Sequence, residues 1–188
     1  MEGKAIIFSA PSGSGKTTIV QSLLQEIPTL KFSISATTRD KRPNEIDGVD
    51  YHFLARSEFR NRILQGDLLE WEEVYADTFY GTLREEVERI WSEGRHVIFD
   101  VDVKGGVKLK KELADKALAI FVKVPSVEVL EERLRSRSTE DEETLKMRIA
   151  KATDEMKEEI NFDKVLLNER LEEAKVTAKR MVEEFIST

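Results

Sequence analysis

The chain contains no cysteine, which excludes a disulfide scaffold, a thiolate zinc site and thiol catalysis. Proline is scarce at 4 residues and glycine at 9, so the composition is neither that of a linker nor that of a disordered segment. No apolar run approaches the roughly 20 residues that span a bilayer. The opening Met-Glu-Gly-Lys is too short and too acidic for a secretory signal, so a cytoplasmic protein without a membrane partner is expected. Cations are the minority charge, with 30 Lys and Arg against 37 Asp and Glu and a formal net charge of −7. Such an acidic chain is a poor general binder of nucleic acid. It leaves room for one pocket where basic residues gather around a small phosphorylated ligand. Against these absences stand 188 residues, 40% of them hydrophobic, enough to bury one core without covalent staples.

Ala5 to Ser9 is a short continuous apolar run, the pattern of a buried parallel strand. Ile19, Val20, Leu23, Leu24 and Ile27 then recur at helical spacing up to Pro28. Further strands are expected at Leu30–Ile34, Tyr51–Leu54, Leu68–Val74, Val97–Val101, Ala117–Val124 and Lys164–Asn168. Ser57 is expected to cap a helix carrying Phe59 and Ile63, with Gly66 at its end. Leu83, Val87, Ile90 and Trp91 mark another helix, and Ser126 caps one through Leu130 and Leu134. After a charged break, helices carry Leu145, Ile149, Ala152 and Met156, and then Leu171 to Phe185. Strands alternating with helices predict an α/β fold on a mostly parallel sheet. The stretch from about residue 36 to 80 breaks that rhythm and reads as an inserted subdomain.

Residues 10–17, Ala-Pro-Ser-Gly-Ser-Gly-Lys-Thr, follow the first strand and precede the first helix. They match the phosphate-binding pattern G-x-x-x-x-G-K-[ST], except that Ala10 takes the place of the first glycine. Gly13 and Gly15 let backbone N–H groups turn inward around an anion, and the helix N-terminus adds its positive end. Lys16 brings a mobile positive charge to the β- and γ-phosphates, and the Thr17 hydroxyl suits Mg²⁺. Asp100, at the end of the Val97–Val101 run, stands where such proteins hold that metal. Asp100 and Asp102 also suit plain capping of the turn that follows.

Phe32 to Arg42 (FSISATTRDKR), Asp50-Tyr51, Glu70-Trp71, Phe79-Tyr80-Gly81-Thr82 and Asp100-Val101-Asp102 occur in an order that resembles the guanylate kinases. The resemblance covers residues 5 to 168. It implies a P-loop kinase that transfers the γ-phosphoryl group of ATP to GMP with Mg²⁺. It further implies a five-stranded, mostly parallel core (1–35, 90–135 and 157–188), a GMP-binding insert at 36–89 and a lid at 136–156. On this resemblance Ser12, Gly13, Ser14, Gly15, Lys16, Thr17, Thr18, Arg133 and Asn168 hold ATP, with Asn168 beside the adenine. Arg39, Arg42, Tyr51 and Tyr80 hold the GMP phosphate. Ser35, Glu70, Thr82 and Asp102 read guanine, and Thr17 and Asp100 serve the metal. Lys16, Arg137 and Arg148 neutralise the transferring group.

The residue chemistry is compatible with each of these roles. Two arginines three apart offer forked donors to a phosphate, and a carboxylate suits the two adjacent donors on guanine's edge. The same arginines also suit a solvated basic loop, and Arg133 suits pairing to nearby glutamates. His52 and His96 are expected to be structural. Two departures from the family pattern stand out: Lys104 where glutamine is usual, and Asp77-Thr78-Phe79 in place of Gly-Asn-Tyr. A protein-binding module of the same fold and a kinase acting on a sugar-phosphate hydroxyl remain as alternatives. The intact Lys16, Thr17 and Asp100 weigh against the first, and the Ser35–Glu70 pair against the second.

Overall fold

The computed structural model describes residues 3–137 and 142–188, with the backbone alone for Tyr75 and Arg137. Residues 138–141 of the expected lid therefore lie outside the described residues. β1 (Ala5–Ser9), buried along its whole length, is the middle strand of a five-stranded sheet. β7 (His96–Val101) and β8 (Ala117–Lys123) flank it, and β2 (Leu30–Phe32) and β9 (Lys164–Leu167) close the edges in the order β2-β7-β1-β8-β9. All pairings in this sheet are parallel, giving the α/β core expected from the sequence.

The two-residue period of β1 divides its side chains between two packed layers. Ile6 and Phe8 meet α1 (Lys16–Glu26) and α7 (Leu171–Ile186) through Ile19, Leu23, Ala178 and Val182. Ala5 and Ile7 meet α3 (Arg84–Ser92) and α4 (Val103–Leu113) through Val87, Ile90, Leu109 and Leu113. With both faces covered, these strands read as unbroken apolar runs rather than alternating ones. Each fully buried large side chain, such as Phe8 or Phe121, contributes about 1.5–3 kcal/mol.

A second sheet holds β3 (Ala36–Thr37), β4 (His52–Phe53), β5 (Leu68–Tyr75) and β6 (Thr78–Leu83) in the order β4-β3-β6-β5. With α2 (Arg56–Gln65) it encloses its own small core of Ala36, Phe59, Leu68, Phe79 and Leu83. Leu69, the next residue along β5, joins the cluster of Leu109 and Leu113 and so ties this sheet to α4. A fourth cluster, Val124, Leu130, Leu134, Leu145 and Ala152, packs α5 (Val127–Arg137) on α6 (Glu142–Met156).

Besides the two-residue β3, where no strand was expected, three elements differ from the sequence expectation. Leu83 was expected to open a helix, but it ends β6, an unforeseen strand that pairs antiparallel with β5. The hairpin turns at Ala76–Asp77, where Asp77 takes φ 60°, a left-handed conformation that aspartate tolerates. The second is α4, which forms across Gly105 and Gly106, residues that disfavour helix. Tertiary contact overrides the propensity, because Val103, Leu109 and Leu113 are buried and the Asp102 carboxylate accepts the Gly105 N–H at 2.7 Å. The third concerns Ser57, which lies inside α2 rather than capping it, since the helix starts after Ala55.

The close approach of α4 to β1 is expected to make Gly106 intolerant of a side chain. A Cβ there would overlap the Ser9 hydroxyl and come within 3.1 Å of Phe162. Gly106→Ala should therefore cost about 1–3 kcal/mol, as overpacking does. The measure is a lower urea midpoint at unchanged slope, and an unchanged midpoint would refute this tight seam.

Candidate functional site

Strand register sets the site. Phe8 pairs with Asp100 and Ser9 with Val101, so the carboxyl ends of β1 and β7 finish side by side. The Ser9 hydroxyl donates to the Asp102 carbonyl at 3.1 Å and holds the two exits together. Beyond Ser9 the chain turns through Gly13 and Gly15, at φ 88° and 86°, into α1. Lys16 is the first residue of α1, and its ammonium contacts the Asp100 carboxylate.

A cavity of about 530 Å³ opens over this turn. Residues 10–18, including Ser12, Gly13, Ser14, Gly15, Lys16, Thr17 and Thr18, line one side together with Asp100 and Asp102. Arg148, Lys151 and Glu155 of α6 line the other. The Arg148 guanidinium donates to the Ser12 hydroxyl at 2.8 Å, which sets α6 on the tip of the loop. Burial pulls the Lys16 ammonium down to about 8, while the Asp102 and Glu155 carboxylates oppose the shift. Burial likewise raises the Glu155 carboxyl above the usual range. Lys151 and Glu155 were missed from sequence, although their spacing of three and seven from Arg148 puts them on its helix face.

A second cavity, about 400 Å³, is lined by Ser35, Tyr51, Glu70, Tyr80 and Asp102. Asp100, Val101 and Asp102 line both cavities, so the end of β7 is their common wall. Glu72, Val74 and Gly105 also face the second cavity and were not anticipated. Burial raises the Glu70 carboxyl, and the Asp102 charge adds to that, while a hydrogen bond from Thr82 lowers it. That bond runs from the Thr82 hydroxyl to Glu70 Oε1 at 2.8 Å. Thr82 itself is buried, so it orients the carboxylate from behind.

Arg39 stands at the rim, 5.4 Å from the Tyr51 ring centre, and Tyr51 lies 6.0 Å from Tyr80. Its guanidinium makes two bonds to Glu45, at 2.8 and 3.0 Å. Glu45 is drawn down to about 2, first by Arg39 and then by the Arg42 backbone N–H. The Arg42 side chain is exposed. It is not brought to the cavity wall formed by Ser35 and Glu70.

Other expected residues are placed differently. Arg133 and Asn168 line neither cavity. β9 ends beneath the phosphate loop, and the side chain of Asn168, for which the resemblance implies a place beside the adenine, is buried there. Arg137 ends α5, and its side chain lies outside the described residues. His52 and His96 line neither cavity. His96 is buried, which lowers its pKa, and its Nδ1 accepts the Lys4 N–H at 3.1 Å.

Comparison with known proteins yields consistent matches. A family model described as guanylate kinase matches residues 2–185. A guanylate kinase of Bacteroides thetaiotaomicron is 50% identical over 187 residues, covering 100% of this chain and 92% of the relative. One from Salinibacter ruber is 48% identical and covers 97% of each chain. Among solved structures, a guanylate kinase from Anaplasma phagocytophilum superimposes with a TM-score of 0.74 at 27% identity. That match covers 97% of this chain and 86% of the other.

Proposed function

This chain belongs to the guanylate kinase family, and from that premise we propose how its residues share the transfer of a phosphoryl group from ATP to GMP. It is a nucleoside monophosphate kinase, and its products are ADP and GDP. The observation that carries the site assignment is the common wall of the two cavities at Asp100–Asp102. A triphosphate on the phosphate loop and a monophosphate held by the second sheet then meet end to end across that wall.

The ATP phosphates lie on the backbone N–H groups of residues 12–18, with the α1 N-terminus and Lys16 neutralising their charge. Guanine sits in the second cavity with its N1–H and N2 amino hydrogens on Glu70, and Ser35 and Asp102 beside it. Arg39, Tyr51 and Tyr80 take the GMP phosphate, which displaces Glu45 from Arg39, and Arg42 turns inward to join them. No general base is required, because the attacking group is a phosphate oxygen whose second pKa of about 6 leaves it mostly dianionic at neutral pH. Rate then comes from bringing two polyanions into line and neutralising their charge as the γ-phosphoryl group moves.

The Thr17 hydroxyl and the Asp100 carboxylate, both on the wall of the loop cavity, suit Mg²⁺, which takes few protein oxygens beside those of phosphate and water. When bound, the metal supplies charge neutralisation at the β- and γ-phosphates. The insert at 36–89 and the lid at 136–156 are assigned to GMP binding and to closure over the reacting groups. No helix among the described residues is long and apolar enough to cross a membrane. We place the enzyme in the cytoplasm, where both nucleotides are found.

Arg148 and Arg137 are assigned to the closed complex, in which they approach the transferring phosphoryl group; for Arg137 the support is the family motif alone. Arg148→Ala should lower kcat by about 10- to 100-fold, the worth of one charged hydrogen bond, with GMP affinity nearly unchanged. Calorimetric loss of GMP binding at normal kcat would instead assign Arg148 to the ground-state site. The reading as a whole is tested by coupled assay of ATP consumption with GMP, AMP, UMP and ribose bisphosphate. Turnover confined to GMP is expected, and equal turnover of ribose bisphosphate would overturn it.

A further inference from the structure

The loop that holds the triphosphate must aim its N–H groups inward, which leaves its carbonyls facing the protein. A buried carbonyl turned that way needs a donor. Ser14 is buried, and its carbonyl accepts the Asn168 side-chain N–H at 2.7 Å, a bond that spans 154 residues of sequence. Gly15 carries the second sign of this contact. Besides its φ of 86°, any Cβ at that position would run into the Asn168 amide nitrogen.

Asn168 is itself fixed. Its backbone N–H donates to the Lys123 carbonyl at 2.7 Å, continuing the β8–β9 ladder. The Arg133 guanidinium, from α5, donates to its carbonyl at 3.0 Å and to that of Glu169 at 3.4 Å. A line of bonds therefore runs from α5 through the end of β9 to the back of the loop. Asn168 Oδ1 is buried without a partner among the described residues, so the amide is held by its donor end alone.

We propose that Asn168 is a positioning residue of the phosphate loop: its amide fixes the Ser14 carbonyl outward so that the loop N–H groups face the triphosphate, and Arg133 fixes Asn168 in turn. The role rests on the reading of residues 12–18 as the ATP phosphate site, and it differs from a contact with the nucleotide base. It predicts a loss that follows the phosphates and ignores the base.

The probe is inorganic tripolyphosphate, which has no base. Asn168→Ala frees the Ser14 carbonyl to turn toward the cavity and should weaken tripolyphosphate binding about tenfold, the scale of one hydrogen bond. kcat/KM should fall equally with ATP and with inosine triphosphate as donor, while GMP affinity and Tm stay near those of the parent. A merely structural defect would lower Tm and GMP affinity together, and that result would overturn the proposal. So would unchanged tripolyphosphate binding, or a loss confined to ATP, which would return Asn168 to the base. Arg133→Ala removes a partly exposed side chain and should weaken tripolyphosphate about threefold; it decides the question if Asn168→Ala does not fold. Lys16→Met separates the two levels. If that variant also binds tripolyphosphate normally, the loop assignment itself fails, whereas a loss there with normal binding in Asn168→Ala and Arg133→Ala rejects only the brace.

Discussion

Lys16→Met is expected to fold normally and to lose about 10²–10³-fold in kcat. That is the scale on which removing one preorganised electrostatic donor slows a reaction. The ammonium leaves the loop at the first residue of α1 and lies in the cavity proposed for the phosphates, with only 14% of its side chain exposed. It contacts Asp100, so its position is held by a neighbour of opposite charge before any nucleotide arrives. Methionine keeps the unbranched shape, so the α1 packing of Ile19 and Leu23 on β1 is untouched and Tm should change little. Its flexible apolar end offers no charge to the β- and γ-phosphates. Near-normal turnover in a folded Lys16→Met protein would remove this loop from the mechanism.

The sequence made the donor half of the molecule readable because local and global signals agree there. Ala5–Ser9 is short and wholly apolar, the glycines that follow permit the turn, and the period changes to 3.6 after Lys16. Where local signals conflict with packing, the reading failed. Gly105 and Gly106 concealed α4, since their value lies in letting the helix touch Ser9 and is visible only once β1 is in place. Leu83 fell in step with Val87 and Ile90 and hid β6, which exists because β5 pairs with it. The bond of Asn168 to Ser14 was likewise not legible, because it is a product of β9 ending beneath the loop.

Thr82 and Arg148 sharpen the division of labour further. The Thr82 hydroxyl holds Glu70, and Arg148, while lining the loop cavity, rests on Ser12 of the loop. Each bond fixes a group before substrate arrives, which lowers the ordering cost of binding. The Glu45 carboxylate does the same for Arg39. If Arg39 takes the GMP phosphate as proposed, the doubly charged phosphate must displace Glu45, whereas a neutral nucleoside should leave Arg39 on it.

Base selectivity should rest on Glu70. Guanine presents N1–H and N2 amino donors to the carboxylate, whereas adenine places a lone pair and a C–H there. AMP would leave a desolvated carboxylate, already held by Thr82 on one oxygen, facing an acceptor. Sites built on such hydrogen bonds reject analogues that lack them by about 10⁴-fold, so GMP should exceed AMP by at least about 10³ in kcat/KM. Glu70→Ala should cost about 1.5–3 kcal/mol of GMP binding and narrow that ratio, with the KM of ATP almost unmoved. The pH dependence follows with a definite sign. Burial first, and then the Asp102 charge, raises the Glu70 carboxyl, so it takes up a proton at higher pH than an ordinary glutamate. Guanine needs the ionised form, so affinity should fall as pH is lowered through that raised value. Guanosine is the probe of choice, because it lacks the phosphate that titrates near pH 6. The slope should vanish in Glu70→Gln. Full GMP preference in Glu70→Ala, or a loss that falls on ATP instead, would show that β5 is not the strand that reads guanine.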